Sequence, residues 1–372
     1  MKCYVCDTEI TTINSTEEHI IINAIGGRLK SRKLICVKCN TELGETIDAV
    51  LAKQLNSLAN MLMINRERGE PQPIMSEKLS TGENILIEFG GTLKQTKPFI
   101  DKKSEKGTTN ISIEARSEKE LRGILKGYAK KYPHFDVEEA VNSAKWIKEY
   151  VEEPLHFDTI IGGKKAFRAI CKCATNFFIL NQGESKYIKH LIPYIKGIKD
   201  EEIVWFHFKE NLYELSPNES FHILHLVGNP TEKVLYCYVD YFNACKYIVL
   251  LNDSYDGEII RNSYVFDLIN GKTIEKNISI DYHREELLDF FINKDAQPFE
   301  NATKSFQHTF ALGYKRQDDS IRNDLIAKSV NESFKKHSEG EIITEEIFEA
   351  ILKDMIHDLT PYLLRRLKNT DN

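Results

Sequence analysis

Two pairs of cysteines near the start of the chain constrain its folding more than any other feature. Cys3-x-x-Cys6 and Cys36-x-x-Cys39 set four thiols at metal-ligand spacing. A two-residue gap lets each pair form a tight turn whose backbone amides help hold the sulfurs. Four thiolates match a closed tetrahedral zinc site, which leaves no open coordination position and is therefore structural. Four unrelated core cysteines are the alternative, and they do not explain the doubled spacing. The segment carrying the pairs is short, and below about 70 residues a hydrophobic core alone rarely suffices. In small zinc domains the ion contributes roughly 10–16 kcal/mol apparent, enough to make up the shortfall.

The chain has 372 residues, more than one ordinary core holds, so two or three domains are expected. A net charge of −6 argues against a protein that coats nucleic acid along its whole surface, but leaves room for a local basic patch. Eight cysteines, half of them in ligand-spaced pairs, fit metal binding in a reducing compartment better than a disulfide framework. No secretion signal is visible at Met1-Lys2-Cys3, and no apolar run reaches the roughly 18 residues that cross a bilayer. The expectation is a cytoplasmic protein with no membrane contact.

Taken in order, the chain predicts an α+β protein. Residues 1–66 form a small zinc-bound unit: an apolar β-branched run from Glu18 to Ile25, the Gly26-Gly27 turn, a second strand over Leu34-Ile35-Cys36, then a helix. In that helix Ile47, Val50, Leu51, Leu55, Leu58 and Leu62 recur at three- and four-residue steps. The polar stretch from Arg66 to Pro73 is the predicted linker, with Pro71 and Pro73 breaking the period. Residues 74–372 are expected to form a larger mixed domain, with a sub-boundary near 200. Its predicted elements are a central helix over Phe167–Phe178, an antiparallel meander over Phe221–Val227, Val234–Phe242 and Cys245–Leu251, and closing helices near 285–293, 319–333 and 344–367. Pro361 is expected to kink or restart the last of these.

Between the cysteine pairs stands Glu18-His19. Neighbouring side chains on a strand point to opposite faces. A carboxylate there can face a hard cation while the imidazole faces a water. An isolated Glu-His pair means little; its place between two cysteine knuckles, with Asn40 directly after Cys39, gives it weight.

These residues together resemble the HNH endonuclease family, in particular members whose two zinc knuckles enclose a ββα-metal motif. The resemblance rests on Cys3-x-x-Cys6, on Glu18 through Gly27, and on Leu34 through Asn40. It implies His19 as the general base that activates the attacking water. It implies Glu18 and Asn40 as ligands of a catalytic divalent ion, Mg²⁺ or Mn²⁺, beside the structural Zn²⁺. The implied substrate is DNA, with RNA an open alternative. A neutral imidazole with a pKa near 6.5 can accept a proton from water at pH 7, which agrees with that role. Two positions depart from the family pattern. No asparagine stands in Ser31–Ile35, where the family carries its middle one, and Glu18 replaces the usual aspartate. Asn23 and Asp48 are candidates to complete the shell around the site.

From Gly26 to Cys39 the chain carries Arg28, Lys30, Arg32, Lys33 and Lys38 and no acidic residue. Such a loop suits phosphate neutralisation, and plain solvation is the competing reading. Elsewhere the chemistry-bearing residues read as packing. Cys171 and Cys173 face different sides of a helix, and Cys237 and Cys245 sit in apolar strands. His222 and His225 fall on opposite faces of one strand, and the tyrosines from Tyr236 to Tyr241 suit a sheet core. Gly162-Gly163-Lys164-Lys165 lacks the full phosphate-loop pattern. Fusion of such a DNA-cleaving unit to a larger domain resembles bacterial anti-phage effectors, which implies a defence role and a second domain that senses a nucleotide signal, binds a guide-carrying protein partner or recognises modified DNA. The rival reading is a catalytically inactive zinc module that binds nucleic acid or a protein.

Overall fold

Chain order is strand, strand, helix for the first unit, as the pattern predicts. The structure is a computed structural model and describes residues 1–370 except 70, 81, 83, 106–107, 133, 146–150, 152–153, 210–211, 295–298 and 339. β1 (Glu18–His19) pairs antiparallel with β2 (Lys30–Ser31), with His19 opposite Lys30. β1 is shorter than its apolar run suggests, and β2 falls before the predicted Leu34–Cys36. After β1 the chain drops Ile20, Ile21 and Ile25 into the core through a 3-10 turn at Asn23–Ile25. The turn back to β2 requires glycine twice: Gly26 has φ +89°, and a Cβ on Gly27 would lie 1.9 Å from the Ile21 carbonyl oxygen. Leu34–Cys36, expected as the second strand, instead bends so that Cys36 reaches the other thiols, keeping only one bridge to Ser15.

Helix α1 (Val37–Leu43) starts at the second cysteine pair and runs through a π-helical turn at Gly44–Asp48 into α2 (Ala49–Met61). The expected stripe is mostly the buried one: Ile47, Leu51, Leu55, Leu58 and Leu62 are in the core, and Val50 is half-buried at its edge. Two small antiparallel sheets follow, β3 (Ile74–Lys78), β4 (Asn84–Ile87) and β5 (Leu93–Gln95), then the hairpin β6 (Phe99–Glu105) and β7 (Thr108–Glu114). Helices α3 (Glu118–Ala129) and α4 (Val137–Asn142) each begin at a side-chain cap, Ser117 and Asp136.

Helix α5 (Lys164–Leu180) is central, as its wide apolar face predicts; its residues from Ala169 to Phe178 are buried. After α6 (Ile192–Ile195) come β8 (Val204–Phe206), β9 (Phe221–Asn229), β10 (Val234–Tyr241), β11 (Cys245–Asn252), β12 (Ile260–Asp267) and β13 (Lys272–Ile274). They form one antiparallel sheet in the order β13-β12-β9-β10-β11-β8. The meander is therefore only its middle: β12 crosses back to pair with β9, and β8 closes the far edge. Both faces are covered, which is why β10 is buried at every position. Leu224, Leu235, Cys237 and Val239 face α5 and the first unit; Ile223, Tyr236 and Tyr238 face α7 (Arg284–Ile292) and the strap Ile278–Tyr282. Two long helices end the fold, α8 (Phe299–Phe334) and α9 (Glu345–Thr370). α8 begins well before its predicted start, and α9 carries Pro361 inside it without ending there. Gly313 of α8 lets that helix approach the backbone of α2, where Arg316 donates to the Leu62 carbonyl.

The first unit and the sheet share one hydrophobic core, which runs from Cys3 through Leu62 to α5 and the inner sheet face. His222 ties them as well: its Nε2 lies 2.9 Å from the Ile25 carbonyl oxygen. No helix among the described residues is long and apolar enough to cross a membrane.

Three buried histidines, on the two faces of the sheet, set a pH dependence. Burial pulls His222 down to about 4, His225 to about 4 and His207 to about 3. An unfolded chain protonates histidine near 6.5, so between there and the folded values the unfolded state binds more protons. Stability must therefore fall as the pH falls through that window, by up to about 1.4 kcal/mol per pH unit for each such histidine. The urea midpoint is expected to drop steadily from pH 6.5 towards 5, with a shallower slope for His222→Gln. A flat midpoint across that range contradicts this account.

Candidate functional site

The four cysteine sulfurs all lie within 4.8 Å of one another, with Cys6 Sγ 3.7 Å from Cys36 Sγ. Four sulfurs at about 2.3 Å from one tetrahedral zinc stand about 3.8 Å apart, so the cluster fits such an ion. Local backbone builds it: the Asp7 amide donates to the Cys3 carbonyl, the Cys3 amide to the Thr8 carbonyl, and the Asn40 amide to the Cys36 carbonyl. Asp7 turns through φ +58° to close the first knuckle. Burial opposes ionisation of the Cys6 thiol, but hydrogen bonding with Thr8 outweighs it and brings the value down to about 6. Among the described residues no other group of three or more His, Cys, Asp or Glu converges on a single ion position.

Glu18 and His19 face opposite ways, as strand geometry requires. His19 is on the outer side, its side chain 15% exposed, with Nε2 2.9 Å from Glu67 Oε2. Glu67 is brought there by Asn23, which accepts from the Glu67 amide at 2.8 Å and donates to the Arg68 carbonyl at 3.0 Å. Lys30 lies 2.8 Å from the other Glu67 oxygen and, with His19, brings that carboxyl down to about 2. An ionised Glu67 can only accept, so in neutral His19 it fixes the proton on Nε2 and leaves Nδ1 as the free acceptor. The imidazole is thus held in the tautomer a general base needs.

Glu18 is on the inner side and buried. Its Oε1 lies 2.6 Å from Lys172 Nζ and accepts from Asn176 Nδ2 at 2.8 Å. The same ammonium is 2.5 Å from Asp48 Oδ2, and Tyr4 donates to Asn176 at 2.7 Å. Burial alone would lower Lys172, but the two carboxylates outweigh it and push the ammonium up, so the group is charged. Breaking one partner of such a buried pair typically costs about 3–5 kcal/mol.

The remaining predicted residues take other places. Asn40 donates to Thr16 Oγ1 at 3.1 Å and does not share a partner with Glu18. In this arrangement Glu18, Asn40 and Asp48 do not fit a second metal ion, because Lys172 stands between the carboxylates. The basic loop is less bare than its sequence: Arg28 donates to the Asn65 carbonyl, Lys30 pairs with Glu17 and Glu67, and Arg32 lies 3.8 Å from Glu17. Lys33 is exposed, and no acidic partner faces it among the described residues. The local absence of acidic residues is real, but the fold brings two from outside the loop.

Sequence reasoning missed Glu67, Lys172 and Asn176. Glu67 lies in a stretch of mixed charge with nothing to set it apart. Lys172 and Asn176 had a signal: they are polar positions one turn apart on a helix otherwise apolar nearly all round. Gly162-Gly163 serves as a turn and not a phosphate cradle. Gly162 has φ +92° and is clasped by Gln54 through both its backbone groups, while Lys164 pairs with Asp200. Cys171, Cys173, Cys237 and Cys245 are buried packing residues.

Four cysteines placed to bind a metal thus carry a ββα unit, with a histidine at the first strand and a helix at the second cysteine pair. Residues 3–56 match the family model of the HNH endonuclease. That match carries a nuclease-type function and a nucleic-acid substrate in general. No curated protein and no solved structure matches the chain.

Proposed function

We propose that residues 1–66 are an endonuclease unit that hydrolyses DNA phosphodiester bonds, with zinc in the four-cysteine cluster as its staple. The observation that supports this best is the His19–Glu67 pair. It leaves Nδ1 of neutral His19 as the proton acceptor while Asn23 and Lys30 hold the carboxylate that pairs with Nε2. In this reading His19 takes the proton of the attacking water, and Arg28, Lys30, Arg32 and Lys33 supply the cationic rim for the phosphate backbone. Residues 74–372 are the regulatory part, sensing a small signal such as a nucleotide or binding a protein partner in a defence-type effector of the cytoplasm. HNH nucleases draw on a divalent ion, Mg²⁺ or Mn²⁺; Glu18 and Asn40 are the positions the family pattern assigns to it.

The substrate class is tested by incubating the full chain with Mn²⁺ and either supercoiled plasmid or structured RNA of equal phosphate concentration. Nicking of the plasmid is expected at least from the Lys172→Met chain, which has no cation between Glu18 and Asp48, with RNA left intact. Cleavage of RNA alone would overturn the DNA assignment. The rival reading, an inactive binding module, draws on two observations: no asparagine stands at 31–35, and Lys172 lies between Glu18 and Asp48. It predicts plasmid binding without cleavage under every ion condition.

A further inference from the structure

Glu18 and Asp48 reach one cation from separate elements, β1 and the end of the π-helical turn, and that cation belongs to a helix more than a hundred residues further along. We propose that Lys172 is a built-in counter-cation that closes the Glu18–Asp48 pair to divalent ions, an autoinhibitory contact made by α5 on the nuclease unit. Three features support it. The ammonium is almost wholly buried and sits 2.6 and 2.5 Å from the two carboxylate oxygens, so no ion can join it there. Asn176, one turn further along α5, donates to the same Glu18 oxygen, so a single helix supplies both the charge and the hydrogen bond that satisfy this carboxylate. The opposite side of α5 packs on the sheet, so any ligand that shifts the sheet against the first unit pulls on this contact.

Polar ties that hold the first unit to α5 and the sheet include Lys172 to Glu18 and Asp48, Asn176 to Glu18, Tyr4 to Asn176, Gln54 to Gly162 at the start of α5, and His222 to the Ile25 carbonyl. Withdrawal of Lys172 leaves two carboxylates with a shared need for positive charge, and hard oxygen ligands of that kind suit Mg²⁺ or Mn²⁺. The inference rests on the nuclease reading only for the meaning of Glu18. Its test reads ion binding and not cleavage, so the two can fail separately.

The experiment is a Mn²⁺ titration of the zinc-loaded full chain, followed by the electron paramagnetic resonance of the free ion. The wild type is expected to show no Glu18-dependent Mn²⁺ site. Lys172→Met should gain one such site, at least about tenfold tighter than any in the wild type. Adding Glu18→Gln to that variant should remove it. Lys172→Gln, which keeps a hydrogen-bond donor without the charge, should behave like the methionine variant. Should either variant be unstable, its melting temperature must rise with Mn²⁺, and the rise must vanish when Glu18→Gln is added. A wild type that already binds Mn²⁺ through Glu18 would overturn the proposal. So would variants that gain no site, or that stay unfolded with and without the ion.

Discussion

Replacing Cys36 with serine is expected to release the zinc and unfold the first unit, with a loss of stability far larger than a surface change. The thiol is buried, and its sulfur stands 3.7 Å from that of Cys6, so the cluster has no spare ligand. In small zinc domains the ion supplies roughly 10–16 kcal/mol apparent, more than most single domains have in hand. Here the consequence spreads, because the core of the first unit continues into α5 and the inner face of the sheet. The melting transition should broaden and fall, and chelation of the wild type should reproduce it. Metal analysis that finds zinc unchanged in Cys36→Ser refutes the staple.

His19→Ala is expected to lower cleavage, in whichever of the wild type and Lys172→Met is active, by at least about a hundredfold, the range in which removal of a general base falls. Zinc content and melting temperature should stay near those of the wild type, since His19 lies at the rim and not in the core. Glu67→Gln keeps an acceptor for Nε2 but loses the charge, so a smaller loss is expected. Asn23→Ala frees the segment that carries Glu67 and should resemble Glu67→Gln. Full cleavage in His19→Ala, measured on supercoiled plasmid, removes the histidine from the mechanism.

Local patterns made part of this molecule legible. The cysteine pairs announce their cluster because both members of each knuckle lie within one turn of chain. β9, β10 and β11 fall where their apolar, β-branched runs lie, since a strand buried on both faces needs an unbroken run. The helix face from Ile47 to Leu62 follows from its three- and four-residue steps. What sequence could not give is pairing at a distance. Whether Glu18 meets a metal or a lysine depends on a helix that the topology, not the spacing, sets against β1. The same holds for Glu67, which becomes a partner of His19 only because Asn23 grips the backbone beyond α2. β12 likewise pairs with β9 by a crossover no local pattern encodes. The site was legible as a list of chemistries, and its connections were not.

The central claim is that a phosphodiester-cleaving centre at His19 sits on the cysteine-stapled unit. The most direct measurement is nicking of supercoiled plasmid in Mn²⁺ by the wild type and by Lys172→Met, each with and without His19→Ala. The account predicts cleavage by at least the Lys172→Met protein and none by either protein lacking His19. Cleavage that survives the loss of His19, or no cleavage by either protein that retains it, would contradict the account.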